Sequence, residues 1–210
     1  MKYFFSVFLI VILIRPVTAQ SFLDYGILAG GASYMGDINT SRPFYKPSVS
    51  VGGLLRYNFN QRYSFRISGY FLGLRGNLSD FPNHLIPNVL PNRSFSRNLF
   101  DLTGQVEFNF LPYMTGDDEG MWSPYLAGGL GYATNIGLVI PFGVGAKLNL
   151  TTRLCAGIEW SCRRTFSDSI DGVESFLGNT LLNNNDWYSV YGLFITYKFF
   201  KFAADCPAYK

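Results

Sequence analysis

A chain of 210 residues can form one domain with a sizeable core. Hydrophobic residues make up 48%, aromatics 18% and charged residues 15%, whereas a soluble domain carries about 25% charge; the balance points away from a soluble enzyme and toward a sheet that faces lipid on one side. The net charge of +3 is small and is not gathered into a basic stripe, which argues against nucleic-acid binding.

The N-terminus comes first in chain order. Lys2 is followed by an apolar run from Phe4 to Ile14, broken only by Ser6. Val17-Thr18-Ala19 then reads as a small-residue cleavage pattern before Gln20. Residues 1–19 are therefore expected to be a cleavable signal peptide, because a spanning helix needs about 20 apolar residues. No later apolar run is long enough for a helix to span. A membrane-resident mature chain must then cross as a barrel, over residues 20–202, with a short tail at 203–210.

Barrel strands are stretches of about ten residues that alternate apolar and polar between turns. Eight are predicted, over residues 22–35, 49–59, 62–74, 98–111, 122–133, 140–150, 152–166 and 187–200. In the second, Val49, Val51, Leu55, Tyr57 and Phe59 oppose Ser50, Arg56 and Asn58. In the third, Tyr63, Phe65, Ile67 and Phe71 oppose Ser64, Arg66, Ser68 and Tyr70. The fourth is sharpest: Phe100, Leu102, Gly104, Val106, Phe108 and Phe110 face one way, and Asp101, Thr103, Gln105, Glu107 and Asn109 the other. A helical period does not sort these residues. In the seventh, Leu154, Ala156, Ile158 and Trp160 oppose Arg153, Glu159, Ser161 and Arg163. Pro124 and Pro141 fall within predicted strands, and proline favours strand ends, so both strands are expected to begin near them.

The polar faces carry Asp24, Arg56, Arg66, Asp101, Glu107, Lys147, Glu159 and Arg163, with the two signs in balance. The interior of an eight-stranded barrel is just wide enough to be filled by side chains. A salt-bridged, structural lumen is expected rather than a conducting or catalytic one. Turns near residues 58–61 and 149–152 are tight, and the turn 112–121 is longer and acidic. The alternate connections at 36–48, 75–97 and 168–186 are long, with a short one near Asn135. That asymmetry is the outer-membrane pattern. It puts the long loops outside the cell, and both termini with the turn Asp117-Asp118-Glu119 in the periplasm. Aromatics at strand ends (Tyr57, Phe59, Tyr63, Phe110, Trp122, Trp187, Tyr197 and Phe199) resemble interfacial girdles. A soluble sandwich or lipocalin-like barrel would alternate identically with the faces reversed.

Catalytic motifs are absent: there is no GxSxG, HExxH, P-loop or dinucleotide fingerprint. Gly128-Gly129-Leu130-Gly131 lacks the Lys-Ser/Thr of a phosphate loop, and its glycines are better read as letting a crowded wall curve. His84, with Asp80 nearby, has no nucleophile at a recognisable spacing and reads as solvated loop. Arg163-Arg164 with Asp168, Asp171 and Glu174 reads as a solvated outer rim. Cys155, Cys162 and Cys206 are an odd set and no disulfide framework. Cys155 and Cys162 would point to opposite faces of one strand. With a single histidine, no metal site and no cofactor are expected.

A resemblance adds to this reading. It is carried by Asp24-Tyr25-Gly26-Ile27, by Gly30-Gly31-Ala32-Ser33-Tyr34-Met35-Gly36-Asp37-Ile38-Asn39 and by Glu107-Phe108-Asn109-Phe110-Leu111-Pro112-Tyr113. It continues through Pro124-Tyr125-Leu126-Ala127-Gly128-Gly129-Leu130-Gly131, Pro141-Phe142-Gly143-Val144-Gly145 and Gly157-Ile158-Glu159-Trp160. Arg163-Arg164-Thr165-Phe166-Ser167-Asp168, Asn185-Asp186-Trp187-Tyr188 and Cys206-Pro207-Ala208-Tyr209 complete it. In these segments the chain resembles the PorG-like, DUF6089-type outer-membrane barrels of Bacteroidetes-type bacteria. The resemblance implies a non-enzymatic part of the type IX secretion system. Its barrel would anchor or position a periplasmic ring of the lipoprotein PorK and its partner PorN. The surfaces for such a contact would be the short turns and the tail, with Asp117, Asp118, Glu119, Cys206, Pro207 and Tyr209 as candidates. Membrane lipids are the other expected partner, and no small-molecule substrate is expected. The alternative is a stand-alone small barrel, either an adhesin-like membrane-integrity protein or a lipid-modifying enzyme.

Overall fold

The computed structural model describes residues 22–35, 39, 42, 44–77, 80, 94–117, 120–166 and 186–198. The expected signal peptide (1–19), the tail (203–210) and His84 lie outside them. Eight strands follow one another: β1 (Phe22–Met35), β2 (Ser48–Asn58), β3 (Tyr63–Asn77), β4 (Ser94–Asn109), β5 (Trp122–Ala133), β6 (Gly137–Asn149), β7 (Leu154–Thr165) and β8 (Trp187–Lys198). Each pairs antiparallel with the next, and β8 returns to β1, so the sheet closes and leaves no edge. No helix among the described residues is long and apolar enough to cross a membrane.

Period-two patterning sets this wall. In β4 the odd residues Asp101, Thr103, Gln105, Glu107 and Asn109 are buried inward, while Leu102 and Val106 are exposed. The polarity is inverted relative to a soluble barrel. Val49 is 80% exposed, and Ile27, Phe71 and Leu193 are each 67% exposed, while the charges of the opposite faces are buried. A sheet with its charges inside and its aliphatics outside suits hydrocarbon around it, so the lipocalin-like alternative does not hold.

Lumen glycines make the interior fillable. A Cβ on Gly52 would come within 2.4 Å of the Tyr70 side chain, one on Gly145 within 2.6 Å of Tyr125, and one on Gly157 within 2.3 Å of Phe194. Each large ring occupies the space left by a glycine of the neighbouring strand. Much of the glycine content thus serves packing inside a narrow tube.

Two expectations need correction. β6 begins at Gly137, so Pro141 lies inside the strand rather than at its start. The β5–β6 ladder runs from Trp122↔Leu148 to Gly128↔Phe142 and resumes at Gly131↔Val139. The interruption falls at Pro141, which has no N–H to give, while its other side keeps Arg163 as partner on β7. Arg153, expected on the polar face of the seventh strand, precedes β7. It stands exposed in the turn before β7, where Nη1 donates to the Tyr197 hydroxyl at 3.3 Å.

The hairpin β3–β4 is the tallest, pairing from Tyr63↔Phe108 to Asn77↔Ser94. Turns 59–62, 110–121 and 150–153 lie at one end of the barrel with the start of β1 and the end of β8. The ends of β1, β3 and β7 and the starts of β2, β4 and β8 lie at the other, with the short turn 134–136, where Asn135 has φ 65° and is followed by Gly137 of β6 at 95°.

Candidate functional site

The lumen is the place where the sequence concentrates charge, and its chemistry is layered. Register places Arg56 of β2 directly opposite Arg66 of β3. Like charges so placed repel, and Glu107 of β4 resolves the conflict. Its carboxylate takes Arg56 Nε at 2.9 Å, Arg66 Nη1 at 3.1 Å and Lys147 Nζ at 2.5 Å. Arg66 also reaches across to Glu159 of β7 through both Nη1 and Nη2, and Nη2 donates to Gln105 Oε1 at 2.7 Å. Tyr125 donates to Glu159 Oε2 at 2.5 Å, and Lys147 to Asn109 Oδ1 at 3.0 Å. Rings complete the cage: Arg56 lies 5.2 Å from the Phe194 centroid, and Lys147 Nζ 4.5 Å from that of Tyr125.

Toward the long connections, Arg163 Nε donates to Asp101 Oδ2 at 2.5 Å, and Tyr188 donates to the same oxygen at 3.0 Å. Toward the short turns, Asp24 Oδ2 accepts from Asn58 Nδ2 at 2.9 Å and from Thr115 Oγ1 at 2.7 Å. All eight charged residues singled out in the sequence therefore sit inside the barrel, each 3% exposed or less.

The turn 110–121 is more than a connection. It folds back over the barrel mouth. Tyr113 is buried and donates to Asn149 Oδ1 at 2.6 Å, while Thr115 reaches in to Asp24. Asn149 Nδ2 lies within hydrogen-bonding distance of the carbonyls of Met114, Asp117 and Gly120, at 3.0, 3.3 and 3.1 Å. Lys198 Nζ donates to the Thr115 carbonyl at 2.8 Å. Gly116, at φ 81°, passes so near the next turn that a Cβ would lie 1.9 Å from the Thr152 carbonyl oxygen. Burial pushes the Tyr113 hydroxyl above its ordinary pKa. The result is a stopper.

The opposite end closes differently. Leu72, Leu74 and Leu99 are buried there with Tyr34, whose ring meets Phe95 edge-on at 5.0 Å. The Tyr34 hydroxyl donates to Asp186 Oδ1 at 2.7 Å. In the β1–β2 connection, the Tyr45 hydroxyl donates to Asp80 and lies 3.1 Å from the Asn77 carbonyl oxygen, and Lys46 Nζ pairs with Asp80 at 2.6 Å. The bond from Lys46 holds the Asp80 carboxyl below the usual carboxylate range, and burial raises Tyr45.

Of the candidate contact residues, Asp117 packs against the stopper: its N–H donates to the Met114 carbonyl at 3.1 Å, and its carboxylate accepts from Gln61 at 3.4 Å. Asp118, Glu119, Cys206, Pro207 and Tyr209 lie outside the described residues. Cys155 is buried in the lumen, and Cys162 is half-buried on the outer wall. Among the described residues no group of three His, Cys, Asp or Glu is placed to hold a metal. Tyr113, Thr115 and Asn149 were not legible as a unit. The only sequence signal was a turn longer than its two counterparts, with a glycine following a threonine.

Comparison with known proteins fits this geometry. Residues 2–208 match a family described as a domain of unknown function, DUF6089. The chain belongs to that family. Among solved structures, the Neisserial surface protein A is 12% identical, with 85% of this chain and 97% of that one covered at a TM-score of 0.50. The N-terminal β-barrel domain of Pseudomonas aeruginosa OprF is 16% identical, with 86% and 100% covered at 0.46. The outer membrane protein OprG from the same organism is 11% identical, with 88% and 98% covered at 0.47. No curated protein matches the chain. The fold is that of eight-stranded outer-membrane barrels.

Proposed function

We propose that the chain is a structural protein of the outer membrane, not an enzyme, whose barrel anchors or positions a periplasmic assembly. The observation that carries this reading is the sealed lumen. Ion pairs, rings and glycines fill the tube, a turn stoppers one end and an apolar cluster caps the other. Work is then left to the outer surfaces. The short-turn end gathers the start of β1, the end of β8 and the turn 110–121, and the asymmetry of connections supports reading that end as periplasmic. The resemblance to PorG-like barrels of Bacteroidetes supplies the partner: the PorK/PorN ring of the type IX secretion system.

Affinity purification of the detergent-solubilised full-length protein tests this. Ring proteins should co-purify, and deletion of the gene should block export of that system's cargo. A preparation without ring proteins, together with normal export, would overturn the reading in favour of a stand-alone barrel. In that case deletions in the long connections would abolish activity while secretion stayed intact.

A further inference from the structure

One stretch of the outer wall is not a plain aliphatic surface. On β6, β7 and β8 small and large residues alternate across the ladder. Ala146 stands opposite Ile158, and Leu148 opposite Ala156, which in turn faces Ile195. The two alanines form a floor, with Leu148, Ile158, Leu193 and Ile195 as walls, and Trp122 of β5 closes one side. The groove holds about 480 Å³ and is almost wholly apolar. Next along this face, one residue before β7, stands Arg153, exposed, its guanidinium donating to the hydroxyl of Tyr197, which pairs with Leu154 and is two residues from Ile195 of the groove. Among the described residues, no carboxylate pairs with this guanidinium.

We propose that this groove is a binding site for an anionic phospholipid, with one acyl chain along the alanine floor and the phosphate at Arg153. The choice of occupant follows from placement and charge. The trough opens onto the face whose exposed aliphatics call for hydrocarbon, and it runs down to a cation at the level where a headgroup would lie. Arginine matches phosphate geometry with paired N–H donors, and Tyr197 beside it belongs to an interfacial belt. The site rests on reading the wall as membrane-spanning. It places the lipid in the leaflet at the short-turn end.

The test is native mass spectrometry on the full-length protein in detergent, titrated with phosphatidylglycerol and with phosphatidylcholine of the same chains. The parent should retain phosphatidylglycerol preferentially. Arg153→Gln should weaken that binding about fivefold, the worth of one cation near an anionic lipid. Ala156→Phe fills the floor and should weaken it about tenfold by displacing two or so methylenes. Equal binding of both lipids, or no change in either variant, would overturn the site. So would a dimer that Ala156→Phe dissociates, since a second copy would then be the occupant. Should Ala156→Phe fail to fold, phosphatidylglycerol with a photoreactive acyl chain answers on the parent, and labels elsewhere than Leu148, Ile158 or Ile195 would count against it. A heat-dependent gel shift and dependence on detergent read the membrane barrel separately, so the lipid site can fail while the barrel stands.

Discussion

At the short-turn end the lumen is closed by directional hydrogen bonds, with Asn149 alone placed against three carbonyls, whereas at the opposite end Leu72, Leu74 and Leu99 close it with apolar area. The difference has physical consequences. A hydrogen-bonded seal depends on a few atoms and leaves orphaned carbonyls when one is lost. An apolar seal is spread over many weak contacts and tolerates small shifts of shape. The short-turn end is thus the more sharply defined, as the proposed docking surface would need.

The largest effect is expected between the two seals. Glu107 answers Arg56, Arg66 and Lys147 together. Glu107→Ala would leave buried cations facing one another, a loss of about 3–5 kcal/mol by the precedent of broken buried pairs. The fraction refolding into detergent as a heat-modifiable band should fall sharply. An unchanged fraction would mean that water already screens the lumen and that the ion network is not what fills it.

Next come paired substitutions, one at each seal. Leu99→Ala should cost about 2–5 kcal/mol through its cavity. Asn149→Ala should cost about 1–3 kcal/mol through unmet carbonyls. Their separation lies in access rather than stability. With Cys162 and Cys206 replaced by serine, the buried Cys155 reports on the stopper. A hydrophilic maleimide should label it in Asn149→Ala and leave it unlabelled in Leu99→Ala. Equal labelling of both would erase the contrast between the ends.

The wall was legible in the sequence because period-two alternation is local. Asp101 to Asn109 and their apolar neighbours declare their faces without reference to any other strand. The list of lumen charges followed from the same rule. Pairing did not, because Arg66 finds Glu159 across the barrel, and that depends on closure and shear. Pro141 misled because a strand tolerates proline when the missing bond falls on one side only. Arg153 misled because alternation was carried from β7 back into the turn before it. The stopper was hidden for a different reason. Its bonds join a turn to the ends of β1, β6 and β8, and no periodicity marks such contacts.

The smallest expected effect tests how much polar definition the β1–β2 connection adds to the long-connection end. Lys46, Tyr45 and Asp80 pin the β1–β2 connection near the end of β3. Lys46 holds the Asp80 carboxyl below the usual range. A carboxylate depressed on folding contributes above its unfolded pKa of about 3.9, and that contribution is lost as pH falls through the lower folded value. The pin should therefore persist at neutral pH and at pH 5, and release only in stronger acid. An NMR titration of the Asp80 carboxyl checks this: its midpoint should lie below that of a free aspartate, and Lys46→Met should return it toward the ordinary value. A normal midpoint in the parent would remove the pin from that account and leave the apolar cluster and the Tyr34–Asp186 bond to define that end among the described residues, widening the contrast between the two ends.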